Sequence, residues 1–186
     1  GEALNFDGPY SDQVRDYFLQ NALYWFDNFH FDGLRLDAVH AIYDQSAVPF
    51  LQELAERVDA CAAKTNKSCL LIAESDLNDS RLIRERKLGG YGLKAQWSDD
   101  FHHALHTLLT RENKGYYQDF GQLKDLATAY EQAYVYSRRY SGFRKHTHGN
   151  CAQDLPGSKF VVFSQNHDQV GNRMLGERLS GLVSFE

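Results

Sequence analysis

Four strand-like runs in this chain each stop at an acidic step, and that recurrence restricts the fold more than any other feature of the sequence. Leu34 and Leu36 alternate with Arg35 and Asp37, and Cys69 to Ala73 runs into Glu74-Ser75-Asp76. Leu93 to Trp97 runs into Ser98-Asp99-Asp100, and Lys159 to Ser164 into Gln165-Asn166-His167-Asp168. A period of two marks the first run as a strand, and a short, continuous apolar run reads as a strand buried on both faces. Helical patterns separate the runs. One starts at Ser11 or Asp12 and reaches about Asn28, with Val14, Tyr17, Phe18, Trp25 and Phe26 near helical spacing, so these aromatics read as core rather than as sugar platforms. A second covers Val48 to Ala63 with Ser46 as its cap and Phe50, Leu51, Leu54, Ala55 and Val58 on one face. Further helices are expected from Asn78 to Lys87, broken by Gly89-Gly90, from Phe101 to Leu109 and from Leu123 to Ser137. Asn113 to Phe120 and the long polar stretch Arg138 to Pro156 show no period and read as loops.

Strands alternating with helices argue for right-handed βαβ units and a parallel sheet, hence an α/β fold. In such sheets functional groups collect at the carboxyl ends of the strands, where Asp37, His40, Glu74, Asp76, Asp99, Asp100, His167 and Asp168 stand. Arg35 and Asp37 share one face of their strand, and two charges there gain nothing from packing. Alone they could be a structural ion pair or part of a site; the carboxylates at the later strand ends favour the site.

At 186 residues the chain has the size of one domain, so residues 1–186 are read as a single catalytic unit with no second domain. The net charge of −5, with both signs interspersed, offers no basic footprint for nucleic acid and no polybasic patch for a membrane. No apolar run is long enough to span a bilayer, and no signal peptide opens the chain. Cys61, Cys69 and Cys151 are odd in number and lack CxxC spacing, which suggests neither a disulfide framework nor a zinc site. A reducing compartment, most simply the cytoplasm, fits such cysteines. The histidines scatter without metal-ligand spacing, so no metal and no cofactor is expected.

Paired carboxylates suit glycoside cleavage. One protonates the leaving oxygen, and the other attacks the anomeric carbon or activates water; in retaining enzymes the two lie about 5–5.5 Å apart. By this reading Asp37, oriented by Arg35, is the nucleophile, and Glu74, behind the apolar run Leu70 to Ala73, is the acid. Asp168, next to His167, accepts hydrogen bonds from substrate hydroxyls.

Gly33-Leu34-Arg35-Leu36-Asp37, Ala73-Glu74-Ser75-Asp76 and Gln165-Asn166-His167-Asp168 resemble three of the four signature regions of the alpha-amylase family of glycoside hydrolases, family 13. The resemblance implies a (β/α)8 TIM barrel, with Asp37 as nucleophile, Glu74 as general acid/base and Asp168 as the third essential carboxylate. It also implies that Arg35 and His167 contact the nucleophile and the cleaved sugar, with Asp76 beside them as a substrate-binding residue. The stretches Asp37 to Ile42, Ala73 to Asp79, Trp97 to His103 and Gln165 to Arg173 are most similar to members that cleave the α-1,4 bond next to the terminal trehalose unit of maltooligosyltrehalose. That similarity implies an oligosaccharide substrate with His40, Asp100 and Phe101 near the aglycone and Gln169, Asn172 and Arg173 lining the same end. His40, Asp100 and Phe101 also have plain structural readings as helix cap, surface charge and core ring.

The family's first signature is missing from the chain, as are the first barrel strands and the last, so the chain is expected to hold about strands four to seven with their helices. A sheet cut this way exposes two unpaired edges. The segment by itself is therefore expected to self-associate or aggregate and not to hydrolyse sugar. Other family 13 activities, branching enzyme or oligo-α-glucosidase, form the alternative within the enzyme class. A non-catalytic sugar-binding or interaction scaffold is the alternative outside it.

Overall fold

The computed structural model describes residues 3–184, which fall into two compact units meeting between Trp97 and Ser98. The first unit is helix, strand, helix, strand, strand. Helix α1 (Ser11–Phe29) buries Leu19, Ala22 and Phe26, and it ends where His30 takes up a left-handed conformation. Helix α2 (Phe50–Thr65) packs against α1 and buries Phe50, Leu51, Leu54, Ala55 and Val58, the face expected from their spacing. Rings of Phe6 and Phe50 meet at 4.6 Å between centroids, closing one end of this layer.

Strands β1 (Gly33–Leu36), β2 (Leu70–Ala73) and β3 (Ala95–Trp97) run parallel, with β2 between the other two. Gly33 pairs with Leu70 and Leu36 with Ala73, so the residues that follow, Asp37 and Glu74, leave neighbouring strands at the same level. Adjacent strands lie about 4.8 Å apart, which sets the scale of their separation. β2 is less enclosed than its apolar run suggests, because Leu70 at its start is exposed while Leu71 and Ala73 are buried.

Arg15 ties this unit together. Its buried guanidinium donates to the Phe6 and Val48 carbonyls and to the carboxylates of Asp44 and Glu53. Asp44 also accepts the amides of Ser46 and Phe50, so the start of α2 is capped by Asp44 and not by Ser46, which the sequence alone favoured. The expected helix from Asn78 to Lys87 is instead a pair of 3-10 turns, Ser80–Leu82 and Arg86–Leu88. The reason is competition for the backbone. The Asp79 carboxylate takes the Arg81 amide and guanidinium, while amides of Gly90, Tyr91 and Leu93 return to the carbonyls of Glu85, Arg81 and Leu82. The return is so close that a Cβ on Gly90 would lie 2.1 Å from the Arg84 carbonyl oxygen.

The second unit opens with helix α3 (Asp99–Thr110), against which α4 (Leu123–Gln132) packs. Phe101, Ala104, Phe120, Ala129, Val135 and Tyr136 form its core. α4 stops well short of Ser137 because the chain turns at Ala133, and Tyr134, Val135 and Tyr136 are drawn into the interior. The stretch Arg138 to Pro156, expected to be a loop, contains a hairpin of β4 (Arg139–Ser141) and β5 (His146–His148). Asp119 organises it from a distance by accepting the Tyr136 and Ser141 hydroxyls and the amides of Gly142 and Phe143. A short strand β6 (Phe160–Val161), helix α5 (His167–Gly171) and helix α6 (Leu179–Leu182) complete the unit. Among the described residues no helix is long and apolar enough to cross a membrane.

Candidate active site

Arg35 is the centre of the polar end of β1. Its Nη1 pairs with Asp37 Oδ1, its Nη2 lies 3.7 Å from Glu74 Oε2, and its guanidinium sits 4.5 Å above the Trp97 ring. The Trp97 ring thus holds one face of the guanidinium while two carboxylates approach its Nη atoms. The two acids differ in environment: the Asp37 side chain is 79% exposed and that of Glu74 only 15%. Glu74 is further held by the backbone, since the Ala38 N–H donates to its Oε2 at 2.6 Å, and Val39 N–H donates to its carbonyl. Ala38 adopts φ 42°, a left-handed turn that carries the chain across the mouth of β2 directly after Asp37. His40 Nδ1 accepts the Asp76 N–H at 3.2 Å, so His40, Glu74 and Asp76 belong to the same group. A cavity of about 320 Å³ on the far side of His40 is lined by His40, Ser75, Leu77, Arg81 and Tyr91 among others, and Arg35, Asp37, Glu74 and Asp76 take no part in its lining. The first unit therefore brings together Arg35, Asp37, His40, Glu74 and Asp76. Trp97 joins them without having been singled out, although its place at the end of a strand, one residue before the acidic step, was a signal.

The remaining residues lie in the second unit. His167 and Asp168 are exposed at the start of α5, with His167 Nε2 3.5 Å from Asp168 Oδ1. Gln169 accepts the Asn166 N–H as part of a capping box. Arg173 donates through both Nη atoms to Glu112. Asp100 and Phe101 have structural work: the Asp100 carboxylate accepts the buried amides of Val135 and Tyr136, and Phe101 is part of the core. Glu112 escaped the sequence reading, and nothing local marks it out. Among the described residues no group of three or more His, Cys, Asp or Glu side chains is placed to hold a metal ion.

Comparison with known proteins supplies the class. A crystal structure of a candidate alpha amylase from Salmonella typhimurium superposes on 93% of this chain with a TM-score of 0.84 at 37% identity, using 30% of its own length. Fold and strand-end chemistry together mark the chain as a portion of an alpha-amylase-type (β/α)8 barrel. No family model matches it. Its sequence relatives include malto-oligosyltrehalose trehalohydrolases, with 51% identity over 98% of the chain to that of Arthrobacter ramosus and 50% over 100% to that of Saccharolobus solfataricus. The chain spans about a third of their length, 32% in both cases. A 1,4-alpha-glucan branching enzyme from Mycolicibacterium paratuberculosis is more distant, at 32% identity over 54% of the chain.

Proposed function

We propose that the protein containing this chain is a retaining glycoside hydrolase that cleaves the α-1,4-glucosidic bond next to the terminal trehalose unit of maltooligosyltrehalose and releases trehalose. Asp37 attacks the anomeric carbon, and Glu74 protonates the departing oxygen and then takes the proton from the incoming water. Asp168 binds hydroxyls of the sugar being cleaved, and Arg35 orients the nucleophile. His40, Asp76 and His167 contact the substrate, and residues 1–186 form part of one catalytic barrel domain.

The observation that carries this reading is the bridge made by Arg35 between an exposed and an enclosed carboxylate at the ends of two paired parallel strands. Strand spacing of about 4.8 Å suits the short separation that a covalent glycosyl intermediate requires. The similarity to trehalohydrolases along the whole chain, set against a partial match to a branching enzyme, favours hydrolysis with trehalose as product. Cys61, Cys69 and Cys151 are free thiols, which suits a cytoplasmic enzyme. In the full-length enzyme, Asp37→Asn is expected to lower trehalose release from maltooligosyltrehalose by at least about 10³-fold with the fold intact, since the covalent step is lost. Turnover near that of the parent would remove Asp37 from the nucleophile role, and rearranged glucan in place of trehalose would point to a branching activity.

A further inference from the structure

The segment bearing Asp168 contributes little to its own anchorage. No residue of α5 is buried, and the His167 and Asp168 side chains are 68% and 51% exposed. Gln165 before it bonds to Glu177 and Leu179, and further contacts at both flanks come from helix α3 and the turn that follows. On the upstream side, His102 is fully buried and its Nδ1 lies 2.6 Å from the Ser164 carbonyl oxygen, while its Nε2 lies 2.8 Å from the Tyr117 hydroxyl. A carbonyl oxygen only accepts, so Nδ1 carries the proton and Nε2 accepts the Tyr117 O–H. Burial lowers the His102 imidazole to about 4, which keeps this neutral tautomer at ordinary pH.

On the downstream side, Arg173 grips the Glu112 carboxylate at 3.1 and 2.9 Å, and His106 Nε2 approaches the same carboxylate at 2.7 Å. The Arg173 hydrogen bonds are the leading reason that the Glu112 carboxyl is lowered to about 2. The two anchors are joined, because the His106 and Tyr117 rings stack at 4.6 Å and 17°. Ser164, His102, Tyr117, His106, Glu112 and Arg173 thus form one connected chain of contacts. Burying imidazoles where leucines would pack carries a desolvation cost, and their partners include the Ser164 carbonyl before α5 and the Glu112 carboxylate that holds Arg173 after it.

We propose that His102 and Glu112 are positioning residues for Asp168: by holding Ser164 before it and Arg173 after it, they set where an otherwise exposed carboxylate stands relative to the substrate. This rests on Asp168 being the third essential carboxylate of the proposed reaction. A purely structural role would lower stability alone, whereas a positioning role lowers kcat in enzyme that remains folded, because a displacement of roughly 1 Å at a catalytic group can cost about 100-fold in rate.

The test uses the full-length enzyme, steady-state release of trehalose from maltooligosyltrehalose, and thermal unfolding of every variant. Glu112→Ala and His102→Leu are expected to lower kcat about tenfold or more with KM within about twofold, at temperatures where both are folded. His102→Asn, whose amide N–H can still donate to Ser164, is expected to recover most of the loss. An unchanged kcat in Glu112→Ala would overturn the proposal, as would equal losses in His102→Leu and His102→Asn that follow their melting temperatures. If His102→Leu fails to fold, Glu112→Ala, at a partly exposed position, decides alone. Asp168→Asn separates the two ideas. Full turnover in it refutes the role of Asp168 itself, while its inactivity beside a fully active Glu112→Ala refutes the positioning role only.

Discussion

Replacing Asp100 by alanine measures whether this acid holds the second unit together or serves the substrate. Its carboxylate is buried and accepts the Val135 N–H at 2.7 Å and the Tyr136 N–H at 2.9 Å, both from buried residues just beyond α4. Alanine leaves two buried amides without this acceptor, at about 1–3 kcal/mol each. Water entering the space returns part of that, so a local loss of about 2–4 kcal/mol is expected. At about 1.4 kcal/mol per factor of ten, this corresponds to roughly 30- to 1,000-fold faster amide exchange across residues 133–137. Hydrogen–deuterium exchange read by mass spectrometry reports that segment directly, with α2 as internal reference. Asp100→Asn, which retains an acceptor oxygen without the charge, is expected to fall between parent and alanine. Exchange within about threefold of the parent in Asp100→Ala would refute the reasoning, and a raised KM with unchanged exchange would return Asp100 to the substrate.

Arg15→Met is expected to destabilise the first unit by about 3–5 kcal/mol, because Asp44 and Glu53 lose a buried partner and two carbonyls lose their donor; denaturant unfolding checks it. Stability is expected to fall on acidification in two overlapping windows. Burial lowers His102 to about 4 and His103 to about 3, so the unfolded chain binds more protons below its own imidazole value near 6.5, and stability declines from about pH 6.5 downward. The Glu112 carboxyl, lowered chiefly by Arg173 to about 2, adds a second decline from about pH 4.5 toward 2. Melting temperatures flat between pH 7 and 4 would contradict the histidine part. The segment expressed alone is expected to self-associate through the outer edge of β1, which pairs with β2 on its other side; a monomer by size-exclusion chromatography would argue otherwise.

The parallel strands were legible because Leu34 and Leu36 alternate with charges, Leu70 to Ala73 is continuously apolar, and each run ends in acid. The same steps gave Asp37, Glu74 and their companions His40 and Asp76 as a group. What stayed hidden depends on side chains that replace regular backbone pairing. Asp79 diverts Arg81 from a helix, Asp119 pins a hairpin from outside its own stretch, and Asp100 stops α4 by collecting Val135 and Tyr136. None of these has a period, since each joins residues by a contact that sequence spacing does not encode. Glu112 was invisible for the same reason: its partner Arg173 is remote in sequence.

The left-handed turn at Ala38 makes the two oxygens of Glu74 inequivalent. Both the Ala38 N–H and the Arg35 guanidinium approach Oε2, and an atom that accepts a backbone hydrogen and faces a cation is a poor seat for a proton. In the reaction proposed above, the hydrogen that Glu74 gives up therefore sits on Oε1, and one alanine's backbone geometry would set the side from which a glycosidic oxygen is approached.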